Sequence, residues 1–420
     1  MKYKILFVAS RPTGGVQYHR MHVPHNALAR LCPEFDVSTI DTLSGVSDDF
    51  LRDFHLVCFS RTASYLYRKR VSPVNDGANP WDVWYFEAQE IMERMRKLGI
   101  VIVVDLDDTW KLHKKHLYYW NYVKEHIGEH NELCCRMADQ VICTTEGFRV
   151  ELINYSPNVE VLPNAIDTTL DQFKPRPTQF PLMRFGWMGS SSHTDDIIPL
   201  HGPLRKLFND RPIAKKMQLV LGGFKLTDKV NKYDPNTGRV QAINLHASQM
   251  VHARFERIFT DEYNNIREFP GYVNYLKQYD NTTPEIMETM PYKRIWYRAV
   301  DQYATAYNEL DVSLAPLQDH FFNNCKSQLK LIEAGFMGKA LICSNVYPYT
   351  IDGEHERNCL MVDRPEQWHY MMRRLVMNPE MGKDLAGELA ASVKMKYNIE
   401  PITRLRADLY RSLIDNKNKV

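Results

Sequence analysis

Residues 100–110 read Ile100-Val101-Ile102-Val103-Val104-Asp105-Leu106-Asp107-Asp108-Thr109-Trp110, and this stretch decides the fold class. Five consecutive β-branched residues leave neither side of an extended segment polar. A strand of this kind is buried on both faces, the situation of parallel sheets covered by helices. The apolar run ends abruptly in carboxylates, as expected where a buried strand emerges at its carboxyl edge. Outward from it, the same pattern recurs at Ile5–Ser10, His55–Ser60, Gln140–Thr144 and Val159–Leu162. Beyond the proline-rich stretch 171–181 a second series begins: Arg184–Trp187, Gln218–Leu221, Arg294–Tyr297, Val312–Ala315, Ala340–Cys343 and Cys359–Val362. Helical patterns fit between most of these strands. Two doubly wound α/β domains follow, with their strand ends expected to face a central cleft where ligands bind. Residues 225–292 are long, polar and aromatic and read as an insertion with some helix of its own.

The bulk properties are compatible with this. A chain of 420 residues exceeds what one hydrophobic core usually supports. The net charge of +2 excludes an argument for polyanion binding from charge alone. The eight cysteines form no C-x-x-C pair and read as reduced core residues of a cytoplasmic protein. The apolar run after Lys4 is too short for a secretory signal, and no stretch approaches the roughly 20 apolar residues of a membrane span.

Chemistry is expected on the loops after the strands. Gly14-Gly15 follows the first strand, where glycine lets backbone approach a ligand at a helix start. The G-x-G-x-x-G fingerprint is absent, which argues against a nicotinamide dinucleotide. Asp105, Asp107 and Asp108 crowd one strand end; like charges so close raise at least one pKa unless cations or donors compensate. Three uses are open for Asp107 and Asp108: a metal site, a general base, or recognition of a sugar hydroxyl. No further metal-ligand set is evident. Gly189, Ser190 and His193, in Gly186–His193, combine glycine and hydroxyls at a strand–helix junction, the composition of a phosphate cradle. In Lys326–Gly335 a helical reading puts Lys326, Lys330 and Glu333 on one face, with Ser327 beside the first lysine. Two ammonium groups at a helix N-terminus fit a diphosphate, and a carboxylate further along fits ribose hydroxyls. His126-Ile127-Gly128-Glu129-His130 matches an H-x-x-E-H zinc pattern, but Gly128 and the surrounding Glu125 and Glu132 point to a solvated helix instead. Lys111–Lys124 mixes cations with aromatics, a combination suited to an anionic membrane surface, a nucleic acid or a carbohydrate.

Pro163-Asn164-Ala165-Ile166-Asp167, Gly186-Trp187-Met188-Gly189-Ser190, Asp311–Pro316, Lys326–Gly338 and Glu354–Val362 occur in an order that resembles the GT-B-fold retaining glycosyltransferases of family 4, of bacterial and phage type. Asp105–Trp110 is similar to a D-x-D-D-x-W variant of that family. The resemblance implies two Rossmann-like domains: an acceptor domain over residues 1–170 and a nucleotide-sugar domain over 171–395, with 396–420 returning to the first. It implies transfer of a hexosyl group from a nucleoside-diphosphate sugar, UDP or GDP, to an acceptor hydroxyl with retention of configuration. No cofactor or metal is implied. Lys326 and Lys330 stand as the diphosphate cations, and Asp107 and Asp108 as the groups holding the acceptor, whether carbohydrate, lipid-linked or nucleic acid. Peripheral membrane contact is compatible with this. One departure is clear: the position of the family's first glutamate in E-x7-E is Cys325. Rival readings are a DNA-modifying glycosyltransferase, a nucleotide-sugar epimerase, and an inactive sugar-nucleotide-binding protein.

Overall fold

The computed structural model describes residues 2–9, 14–61, 63, 69–70, 84–116, 118–189, 193–224, 227–234, 239–246, 255–256, 258–259 and 288–417, with 69–70, 84–85, 224, 227–234 and 239–246 given by backbone alone. They form two compact units. The first comprises residues 1–169, 320–329 and 396–420, the second residues 170–319 and 330–395. The segment His320–Leu329, which the sequence reading left inside the second domain, therefore belongs to the first unit.

In the first unit, β1 (Tyr3–Val8), β2 (Phe35–Ile40) and β3 (Leu56–Ser60) are followed by a short antiparallel pair, β4 (Lys69–Arg70) and β5 (Trp84–Tyr85). Then come β6 (Val101–Asp105), β7 (Gln140–Cys143) and β8 (Val159–Val161). The main sheet is parallel with order β2-β1-β3-β6-β7-β8. Alternation decides its two cores. Leu6, Val57, Phe59, Ile102 and Val104 enter one, with Trp110 and Cys325. Ile5, Phe7, Cys58, Val101 and Val103 enter the other, closed by Tyr410 and Ile414 of the helix Ile399–Lys417. The expected double-sided burial is thus present. The strand order reverses between β1 and β3, and a reversal leaves a crevice at the carboxyl edge.

The second unit contains β9 (Met183–Met188), β10 (Met217–Phe224), an antiparallel hairpin β11–β12 (Thr227–Asp234, Arg239–His246), β13 (Tyr292–Trp296), β14 (Val312–Ala315), β15 (Ala340–Ser344) and β16 (Leu360–Val362). Its parallel sheet runs β13-β10-β9-β14-β15-β16, so the order reverses between β9 and β14. The hairpin, with residues 255–256, 258–259 and 288–292, is the described part of the expected insertion, most of which lies outside the described residues. Phe185, Trp187, Leu219, Leu314, Ile342 and Trp368 anchor the core. No helix among the described residues is long and apolar enough to cross a membrane. All eight cysteines are free and buried.

Candidate functional site

The carboxyl edge of the first sheet gathers charges from distant parts of the chain. Asp105 ends β6 with no exposure. It accepts from Arg20 Nε at 2.7 Å and from Arg406 Nη1 and Nη2 at 3.2 and 3.3 Å, both guanidinium groups being buried. Arg20 comes from the π-helical turn Gln17–His22, whose entry is set by the Tyr18 N–H donating to Gly14 O. Arg20 Nη1 also donates to Asn164 Oδ1 at 3.1 Å, and Asn164 Nδ2 donates to Ser327 Oγ at 2.8 Å. Asp105 thus anchors a buried polar network and is sealed from any ligand.

Asp107 and Asp108 follow in the loop after β6 and are only partly buried. Arg61, immediately after β3, donates to Asp107 Oδ1 through Nε at 3.0 Å and Nη2 at 2.6 Å. Its backbone is left-handed, with φ of 64°. That conformation is costly for a side chain of this size and here aims the guanidinium across the strand ends. Arg61 Nη1 also donates to Tyr122 Oη at 3.2 Å. Lys326 Nζ lies 3.4 Å from Asp108 Oδ2 and 4.4 Å from the centre of the Phe322 ring. Burial opposes the charge on Asp107, but the Arg61 guanidinium, with Lys326 and Arg20 behind it, holds its carboxyl below the ordinary aspartate range. The sequence suggested that crowding would raise a pKa unless cations compensated; for Asp107 the cations win.

Lys326 corrects the helical reading of its segment. The helix begins at Leu329, so Lys326 precedes it, and the two lysines fall in different units. Cys325 is buried in the apolar core of the first unit, and burial pushes its thiol up to about 12. No carboxylate occupies that position.

In the second unit, the edge where β9 and β14 part company holds Gly189, His193, Lys330 and Glu333. Lys330 donates from Nζ to the Met188 carbonyl and lies 5.3 Å from the centre of the Trp187 ring. Gly189 fits beneath it: a Cβ there would meet Trp187 Cζ2 at 2.5 Å and Lys330 Nζ at 3.1 Å. By contrast, a Cβ on Gly14 or Gly15 would meet nothing within 4 Å. His193 Nδ1 is 2.8 Å from Asp196 Oδ2, while Asp196 Oδ1 accepts from the Gln318 N–H at 2.9 Å. This fixes the imidazole at the strand reversal. Glu333 is buried rather than on an exposed helix face. It accepts from the Tyr303 and Tyr307 hydroxyls, the latter at 2.7 Å. Burial raises its pKa, against the pull of Tyr303, Lys330 and Tyr307. Ser190 lies outside the described residues.

Sequence reasoning missed Arg20, Arg61, Asp196, Tyr303 and Tyr307. Only Arg61 carried a signal, a cation directly following a buried strand. The H-x-x-E-H segment does not assemble a metal site: His130 is fully buried in the helix Ile127–Met137, while His126 pairs with Glu129. Among the described residues no group of three or more His, Cys, Asp or Glu is placed to hold a metal ion.

No family model matches the chain, and no curated protein matches it. Solved structures do. The chain is similar to the sucrose-phosphate synthase of Thermosynechococcus elongatus, with 14% identity and a TM-score of 0.59 over 99% of this chain and 100% of that one. It is also similar to Anabaena HepE in complex with UDP-glucose, with 12% identity and a TM-score of 0.55 over 97% and 99% of the two chains. A glycosyltransferase from Rickettsia africae is 10% identical, with a TM-score of 0.56 over 99% of each chain. At such identities the likeness establishes the fold: GT-B, two Rossmann-like α/β units.

Proposed function

We propose that the chain is a glycosyltransferase that moves a hexosyl group from a UDP- or GDP-sugar to an acceptor hydroxyl with retention of anomeric configuration. The observation that carries this is Lys330 at the strand reversal of the second sheet, its ammonium held by the Met188 carbonyl above a glycine that admits no side chain. A cation at a helix start beside a strand's carboxyl end suits a diphosphate. The Anabaena neighbour, in complex with UDP-glucose, supports that choice of ligand.

In this reading the bond from the anomeric carbon to the diphosphate oxygen breaks and its electron pair leaves with the diphosphate. Lys330, His193 and the Gly189 backbone oppose the charge that develops. The acceptor oxygen bonds the anomeric carbon, and its proton passes to the departing diphosphate. Glu333, steadied by Tyr303 and Tyr307, takes ribose hydroxyls. Asp107 and Asp108 hold the acceptor. With its carboxyl held low by Arg61, Asp107 is a poor base and serves better as a hydrogen-bond acceptor. Lys326 balances Asp108 within the acceptor unit, and Gly14-Gly15 admits a ligand to the backbone. The cytoplasm, with its reduced thiols, is the proposed compartment.

Thermal unfolding with UDP, GDP and their glucose and mannose conjugates tests the reading. A ligand at a hundredfold excess over Kd adds about 2.7 kcal/mol. One nucleotide should raise the Tm, and Lys330→Ala should lose that shift while unfolding as cooperatively as the parent. Absence of any shift, together with no nucleoside diphosphate released from any sugar conjugate, would sink the proposal. Release that needs no acceptor and yields an isomerised nucleotide sugar would favour an epimerase.

A further inference from the structure

The segment after the aspartates carries an exposed face that the transferase chemistry leaves unused. The short helix Tyr119–Lys124 buries none of its residues. Trp120 is 72% exposed, Val123 50% and Tyr118 45%. Phe321, 48% exposed, joins them from the segment His320–Leu329 of the same unit. Ring contacts tie the two segments together beneath this face: Tyr118 to His116 at 5.8 Å, and His116 to the buried Phe322, the neighbour of Phe321, at 5.0 Å. Lys111 lies 5.6 Å from the Phe321 ring but is already paired with Glu151. Lys114, Lys115 and Lys124 are exposed, and no carboxylate occurs between Lys111 and Lys124. Large apolar side chains in water at this density mark an interaction site.

We propose that this face docks on an anionic lipid bilayer. Trp120, Tyr118, Val123 and Phe321 enter the interfacial layer, and Lys114, Lys115 and Lys124 meet lipid phosphates. Tryptophan and tyrosine favour that layer because each has an apolar body and a polar tip, and lysine is drawn to anionic headgroups. Charge complementarity alone would admit a nucleic acid, but two features choose the membrane. Val123 offers nothing for a base to stack on. Tyr119 and Trp120 meet edge to face, with 80° between their planes, and so present no parallel platform for successive bases.

The full-length chain is cosedimented with phosphatidylcholine vesicles, with and without phosphatidylserine. Binding is expected only with phosphatidylserine and should weaken as salt rises. The double variants Trp120→Ala/Phe321→Ala and Lys114→Glu/Lys115→Glu should each lower partitioning about tenfold or more while the Tm holds. No binding to the anionic vesicles would overturn the proposal, as would equal partitioning of parent and variants. So would binding of a short DNA duplex, lost in the lysine variant, with the vesicles left unbound. None of these readouts depends on transfer activity.

Discussion

The three aspartates after β6 illustrate how little a side chain's role depends on its type. Asp105 is clamped between two buried guanidinium groups, Asp107 is bound by Arg61, and Asp108 faces Lys326. These partners lie 85, 301, 46 and 218 residues away along the chain, beyond the reach of any local pattern. The cluster itself was legible; the cations that discharge it were not. Asp105→Asn should leave two buried cations undercompensated and cost about 3–5 kcal/mol, read by urea unfolding. Asp107→Asn should cost far less stability and act instead on the acceptor KM. Equal stability losses in the two variants would contradict this division. At Gly189 an alanine Cβ would press on the Trp187 ring and the Lys330 ammonium. Gly189→Ala should therefore destabilise by about 1–3 kcal/mol and weaken nucleotide binding together; unaltered binding by calorimetry would disprove the close fit.

Among the elements, the buried strands were readable because apolar runs have few other uses. The runs at Val101–Asp105 and Val312–Ala315 appear within a residue of their expected bounds. Within the two parallel sheets the missed strand is β2, whose sequence Phe-Asp-Val-Ser-Thr-Ile lies at the sheet edge with five of six positions exposed or only partly covered; the antiparallel pairs β4–β5 and β11–β12 were missed as well. An edge strand need not be apolar, so hydrophobicity did not reveal it. The start of the helix Leu329–Phe336 was misjudged for another reason. Ser327 and Gln328 bond to Asn164 and Tyr397, while Cys325 packs into the first unit, and these tertiary ties hold the chain out of the helix. That helix also packs closely on the helix Pro379–Lys396: a Cβ on Gly335 would lie 2.5 Å from Val393 Cγ2 and 3.1 Å from the Leu389 carbonyl. Helix propensity favours Gly335→Ala by up to about 1 kcal/mol, whereas overpacking against backbone costs about 1–3 kcal/mol. The variant should lose stability; a higher Tm would show that the helices separate freely.

Across the whole molecule, acid should be the sensitive direction. Burial lowers the pKa of His19 and of His130 to about 4, in His19 with help from Arg20. The unfolded chain takes up these protons near pH 6.5 and the folded chain does not. Stability is therefore lost as pH falls from about 6.5 toward 4, by about 3 kcal/mol for each ring, and is unaffected by them above that window. His130→Phe, which keeps an aromatic ring in the same pocket, should flatten the dependence measured by urea unfolding at pH 7 and pH 5. An unchanged slope would mean that the ring is charged in the native state.

The arginine that completes the clamp on Asp105 is Arg406, carried by a helix at the far end of the chain. On a ribosome the strands of the first unit emerge early, yet their central carboxylate has only half its counter-charge until Arg406 has been synthesised. The intervening second unit has by then had all of its strands synthesised. Its folding cannot wait on the first, and a nascent chain arrested between them would expose one face of the first sheet, bare of Tyr410 and Ile414, to whatever apolar surface it meets.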